Sequence, residues 1–223
     1  MKRLNLLLVA LLLASCSSEQ GAEGVETSSA PSNNQTGVYM LLDTSGTYRQ
    51  ELVRAEQIIR YTLSRLNPED SFAVARIDTG SFSEKDIVAK VSFDDRPSAV
   101  NQQKRVFAEQ VHQFVETADP SPYTDITGGM LQAVEWLNEK DSGRKTILVF
   151  SDMQQDLESG YVRDIDLPLE GFEVIALNVT KLRSDNVDPR EYLDRLDMWR
   201  DRVESTGGTW RVINDLDNLD GIF

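Results

Sequence analysis

Residues 37–47 read GVYMLLDTSGT. Val38 to Leu42 form an unbroken apolar run that stops abruptly at Asp43. A short apolar run bounded by polar residues marks a strand buried on both faces, because neither face then needs a polar side chain. The same signature returns at Thr146-Ile147-Leu148-Val149-Phe150-Ser151, which also ends in a carboxylate, Asp152. Two such strands call for a sheet covered by helices on both sides, and the flanking sequence supplies them.

Leu52, Ala55, Ile58, Ile59, Leu63 and Leu66 recur at helical spacing until Pro68 ends the pattern. Phe72 to Ile77 is a second strand. Ile87, Ala89, Val91 and Phe93 alternate with less apolar neighbours, as in a strand nearer an edge. Asp78-Thr79-Gly80-Ser81 lies between these two and reads as a turn, so they are expected to form a hairpin-like pair. A helix follows Pro97 and breaks at Ala118-Asp119-Pro120-Ser121-Pro122. Another carries Met130, Leu131, Val134 and Leu137 and is expected to start near Gly128-Gly129. Phe172 to Leu177 is a strand. Asp188, Pro189 and Glu191 are spaced as an N-cap, a first-turn proline and a capping-box acid. The helix behind them stops at Gly207-Gly208, and Trp210 to Ile213 is the last strand. The pattern predicts an α/β fold: a doubly wound, Rossmann-like, mostly parallel six-stranded sheet with helices on both faces.

Composition narrows the chemistry. The 223 residues carry 23 Lys and Arg against 37 Asp and Glu, a formal net charge of −14. No nucleic-acid partner is expected, since phosphate binding needs a basic face. One Cys excludes an internal disulfide, a zinc cluster and an iron–sulfur centre; one His excludes a multi-histidine metal site. That His, His112, falls on the helix after Pro97 and reads as an ordinary surface or half-buried residue. Trp136, Trp199 and Trp210 read as core or core-edge packing. The acidic end, Asp215, Asp217 and Asp220, lacks the spacing of a calcium loop and is expected to be a solvated tail.

The N-terminus reads as an address. Lys2 and Arg3 precede an apolar run, Leu6 to Leu13, that is too short to span a bilayer. Leu13-Ala14-Ser15-Cys16 then resembles a bacterial lipobox. The resemblance implies a signal peptide over 1–15, acylation of Cys16 and a cell-envelope location. Ser17, rather than Asp, follows the Cys, which by the same resemblance favours the outer membrane, facing the periplasm, over the inner membrane. Residues 16–36 hold one Val, no aromatic side chain and many Ser, Glu, Gly and Asn. They are expected to be a tether, with the folded domain over 37–223.

In a doubly wound sheet ligands gather at the carboxyl ends of the strands, where strand order reverses. The first strand delivers Asp43, Ser45 and Thr47 to that edge, and the strand at 146–151 delivers Asp152. Thr124 stands before the helix that carries Gly128-Gly129. Three hydroxyls and two carboxylates are an all-oxygen set, which suits a hard divalent cation such as Mg²⁺.

The segments GVYMLLDTSGT (37–47), YTDITGGM (123–130) and ILVFSD (147–152) resemble the three parts of the metal-ion-dependent adhesion site (MIDAS) of a von Willebrand factor type A domain. The resemblance implies that Asp43, Ser45, Thr47, Thr124 and Asp152 hold Mg²⁺, with Mn²⁺ or Ca²⁺ as substitutes. It also implies binding rather than catalysis: a protein partner would offer a Glu or Asp carboxylate to the ion. Met153 stands where the family often has glycine. Asp125 and Asp156 are expected to support the metal loops from behind. By the same analogy, binding there could couple to the helix around Trp199.

Three other readings compete. A haloacid-dehalogenase-like, Mg²⁺-dependent phosphatase also places an Asp after its first strand, but it needs a second Asp as general acid where this chain has Ser45. Asp78-Thr79-Gly80-Ser81 resembles an aspartic-protease motif, which belongs on β-rich folds that the helical patterning contradicts. A metal-free envelope scaffold of the same fold would have no use for the complete oxygen set.

Overall fold

The computed structural model describes residues 34–46, 48–78, 80, 83–216 and 219–223. The expected signal segment, Cys16 and most of the tether lie outside the described residues, and so does Thr47. Chain order among the described residues is β1 (Thr36–Asp43), α1 (Leu52–Arg65), β2 (Ser71–Ile77), β3 (Ile87–Ser92), α2 (Pro97–Thr117), α3 (Ile126–Glu139), β4 (Arg144–Phe150), β5 (Phe172–Leu177), α4 (Arg190–Glu204) and β6 (Thr209–Ile213). These six strands make one sheet in the order β3-β2-β1-β4-β5-β6. All neighbours run parallel except β2 and β3, which form the expected antiparallel pair.

Alternation along β1 divides the core in two. Val38, Met40 and Leu42 face α1 and α2, meeting Leu52, Ile58, Ile59 and Phe107. Tyr39 and Leu41 face the other way, meeting Met130, Ala133 and Leu137 of α3 and, further along that face, Trp199 and Val203 of α4. Both faces of β1 are fully buried, which is why its sequence is an uninterrupted apolar run. Each such side chain contributes about 1.5–3 kcal/mol of transfer free energy. Helix α3 approaches β1 closely: a Cβ on Gly129 would come within 2.9 Å of Leu41 Cδ2. Contact with Leu41, rather than backbone angle, favours a glycine there.

Three expectations are corrected. Helix α3 opens at Ile126, two residues before the Gly pair, because Asp125 caps it: the Asp125 carboxylate accepts the Gly128 N–H at 2.8 Å. Helix α4 opens at Arg190 with Pro189 as its N-cap residue, so the expected cap is displaced by one position. Asp188 still accepts the Arg190 N–H, at 3.1 Å. The C-terminal stretch is not a solvated tail. Ile222 is fully buried, and Leu216, Leu219 and Phe223 pack against the α1–α2 side of the core. The apolar residues between the exposed acids recur at a spacing suited to docking, and they decide the placement. Among the described residues no helix is long and apolar enough to cross a membrane.

His112 is half-exposed and bridges two helices, with Nδ1 3.2 Å from Glu56 of α1 and Nε2 3.4 Å from Glu116 of its own helix. Asp78 pairs with Arg76 at 3.0 Å, and Gly80 takes φ +61°, in keeping with a turn at this point.

Candidate metal centre

Strand order reverses between β1 and β4, so the loops leaving these two strands diverge and open a cleft between them. Asp43 is the last residue of β1, and Asp152 lies two residues beyond β4. Backbone bonds stitch the cleft walls together. Ser121 N–H donates to Thr44 O at 2.9 Å, and Thr124 and Asp156 exchange backbone bonds of 2.7 and 3.0 Å. The resulting cleft, about 440 Å³, is lined by Ser45, Thr124, Asp152, Gln154, Asp156 and Leu182, among others. Residues from three distant stretches thus meet at one opening, with Asp43 beneath it.

Asp43 is almost wholly buried. Its Oδ1 accepts the Ser45 N–H at 2.8 Å and its Oδ2 accepts the Ser151 hydroxyl at 2.7 Å. Burial raises its pKa, and the bonds from Ser151 and Ser45 offset only part of that. Asp152 is 5% exposed, and its Oδ1 accepts the Gln154 N–H at 2.9 Å. Burial first, then the charge of Asp43, pushes its pKa up to about 6; the Gln154 N–H and Arg195 act in the opposite direction. Two acids close enough to feel each other are buried with no ion-pair partner of their own among the described residues. A cation would remove that penalty.

The donor chemistry fits one kind of ion. No group of three or more His, Cys, Asp or Glu side chains converges among the described residues. A metal here would draw on two carboxylates and on hydroxyl oxygens, a hard set that suits Mg²⁺ and excludes soft ions. Two carboxylates would also match the charge of a divalent ion.

The remaining predicted residues fall nearby. Asp125 points its carboxylate into the start of α3 and forms a paired contact with Arg163, Nη2 to Oδ2 at 2.8 Å. Asp156 is exposed and holds Thr124 through its backbone. Local sequence pattern assigns no role at the site to Ser151, Ser121 or Arg195, and touches Trp199 only through the coupling expected for its helix. Ser151 bonds Asp43; Ser121 joins the loops; Arg195 and Trp199 of α4 donate to the backbone of the Asp152 loop, at Asp152 O and Met153 O. Ser151 is signalled by its position beside Asp152 at a strand end. Arg195 and Trp199 sit among charged and apolar helical residues that resemble any amphipathic face.

The sequence matches no family model and no curated protein significantly. Solved structures do match. A von Willebrand factor type A protein from Catenulispora acidiphila superposes with a TM-score of 0.51 at 16% identity, over 85% of this chain and 41% of that one. The pilus adhesin SpaC from Lactobacillus rhamnosus GG, in an open conformation, superposes with a TM-score of 0.52 at 12% identity, over 82% of this chain and 28% of that one. The chain therefore spans less than half the length of either neighbour, and what it shares with them is the fold, that of a von Willebrand factor type A domain.

Proposed function

We propose that this domain binds a protein partner through a divalent cation, in the first instance Mg²⁺, held by Asp43, Ser45, Thr47, Thr124 and Asp152. The observation that carries the reading is the cleft at the strand-order reversal, where Asp152 lines the opening with Ser45 and Thr124 while buried Asp43 accepts the Ser45 N–H, neither acid having an ion-pair partner among the described residues. Bound there, the ion would supply a Lewis-acidic position for an incoming carboxylate oxygen from a Glu or Asp of the partner. Asp43 and Asp152 offset the ion's charge, so a third carboxylate can approach despite the acidic exterior. Ser45 and Thr124 supply neutral oxygens that add no further repulsion.

The reading is of binding rather than catalysis. No described His lies in the cleft, and the Asp43 carboxylate that bonds the Ser45 side chain is spoken for as a cation ligand in this reading. The adhesin among the fold neighbours supports a role in protein contact. The lipobox-like Leu13-Ala14-Ser15-Cys16 supports a lipid anchor on Cys16 after a signal peptide over 1–15, with the residues between Cys16 and the start of β1 at Thr36 as tether. We place the domain at the cell envelope, on the outer membrane facing the periplasm.

A pull-down from envelope extract tests this directly. A partner should be retained with Mg²⁺ and released by chelator, and Asp43→Ala should lose it. Equal retention by Asp43→Ala and by the chelated protein would refute the metal bridge.

A further inference from the structure

The loop that follows Asp152 is held in a conformation its own sequence disfavours. Met153 has φ +65° and is fully buried. This left-handed region is costly for a residue with a Cβ and an unbranched apolar side chain, and it persists only where the surroundings impose it. Two donors one helical turn apart on α4 do so. Arg195 Nε donates to Asp152 O at 3.0 Å, and Trp199 Nε1 donates to Met153 O at 2.9 Å. Spacing of i and i+4 puts both on one helix face. From the other side, Met153 N–H donates to Ser151 Oγ at 2.9 Å, and that same hydroxyl bonds Asp43.

The two donors are themselves fixed. Trp199 has no exposed surface and packs in the α3–α4 core. Arg195 forms a paired contact with buried Asp185, at 3.2 and 2.8 Å, and Asp185 Oδ2 also accepts the Leu182 N–H at 2.7 Å. Leu182 lines the cleft together with Thr124 and Ser45. One buried ion pair thus sets both the Leu182 wall and the Asp152 wall.

We infer that Arg195 and Trp199 are positioning residues for the cation site, clamping the Asp152–Met153 backbone in a left-handed turn so that the Asp152 carboxylate faces the cleft. They touch backbone and no ligand. Their role is to make affordable a turn that a methionine would otherwise leave. This rests on Asp152 as a cation ligand only for the affinity readout; the backbone readout stands apart from it.

The experiment combines Mg²⁺ titration by calorimetry with amide hydrogen exchange at Met153 and Gln154 in the metal-free protein, each variant being checked by its melting curve. Trp199→Phe removes the donor and keeps an aromatic ring. It should weaken Mg²⁺ binding roughly tenfold, about 1.4 kcal/mol, and speed exchange at both amides. Arg195→Lys keeps a cation for Asp185 but has one head group for two acceptors, and should act in the same direction; it carries the test if Trp199→Phe does not fold. Adding Met153→Gly to Trp199→Phe should bring the affinity back to within about threefold of wild type, since glycine enters the left-handed region without restraint. Unchanged affinity and exchange in both single variants would overturn the clamp. So would a double variant no better than Trp199→Phe, because the loss would then come from core packing. If the wild type binds no Mg²⁺, the proposed function fails, and the exchange result alone decides the clamp.

Discussion

Asp43 and Asp152 in the cleft are about as deeply buried as Asp125 and Asp185 beside it, yet the two regions treat their acids in opposite ways. Asp125 and Asp185 each receive an arginine at 2.8 Å, from Arg163 and Arg195. The Arg195 guanidinium holds the Asp185 carboxyl below its ordinary range. Asp43 and Asp152 receive only hydroxyl and backbone N–H donors, and both pKa values are raised. Asp125 and Asp185 are thus neutralised internally, whereas two neighbouring buried acids at the point where strand order reverses have no arginine between them among the described residues. A buried charge without a partner is costly, so the deficit points to a charge supplied from outside.

The largest effect should come from breaking an internal pair. Arg195→Met leaves Asp185 buried and uncompensated, and should cost on the order of 3–5 kcal/mol in a denaturant melt. Saturating Mg²⁺ should rank next: at about a hundred times its Kd it should stabilise the wild type by roughly 2.7 kcal/mol, and Asp43→Asn should abolish that gain. In the absence of metal, Asp43→Asn should itself raise the melting temperature, because it removes an acid that burial penalises. A melt in which the metal-free variant is less stable than wild type would contradict the contrast between the two regions.

The pH dependence follows from the same shifts. The folded-state pKa of Asp152, about 6, lies above its ordinary value of 3.8, so ionisation destabilises the fold. In metal-free protein that penalty is complete above about pH 6 and is relieved as pH falls toward 4, a gain on the order of 2 kcal/mol. Asp185 is shifted the other way, and its contribution is lost only as pH falls below the ordinary carboxyl range. Metal-free protein should therefore grow more stable between pH 7 and 5, and saturating Mg²⁺ should remove that rise. The smallest effect should come from the exposed bridge: His112→Gln is expected to change stability by no more than ~0.5 kcal/mol.

Much of this arrangement was legible in the residues. The central strands announce themselves because burial on both faces strips them of polar residues, as at Val38 to Leu42 and Ile147 to Phe150. Asp43 and Asp152 stand out because each ends such a run. The N-cap role of Asp125 is hidden by the Gly pair behind it, which looks like a helix boundary; Gly128 instead makes room for the Asp125 carboxylate and Gly129 for Leu41. The grip of Arg195 and Trp199 on the Asp152 loop spans 43 and 46 residues, and no local pattern reports such a pairing. The docking of Ile222 was obscured in the same way, since a tertiary contact decides it and the surrounding acids suggest solvent.

The most direct measurement is a crystal soaked in Mn²⁺ and read by anomalous scattering. The account expects one strong peak in the cleft, within bonding distance of oxygens from Asp43, Ser45, Thr47, Thr124 and Asp152. A cleft without a peak at saturating Mn²⁺, with the Asp43 and Asp152 carboxylates turned apart, would contradict it.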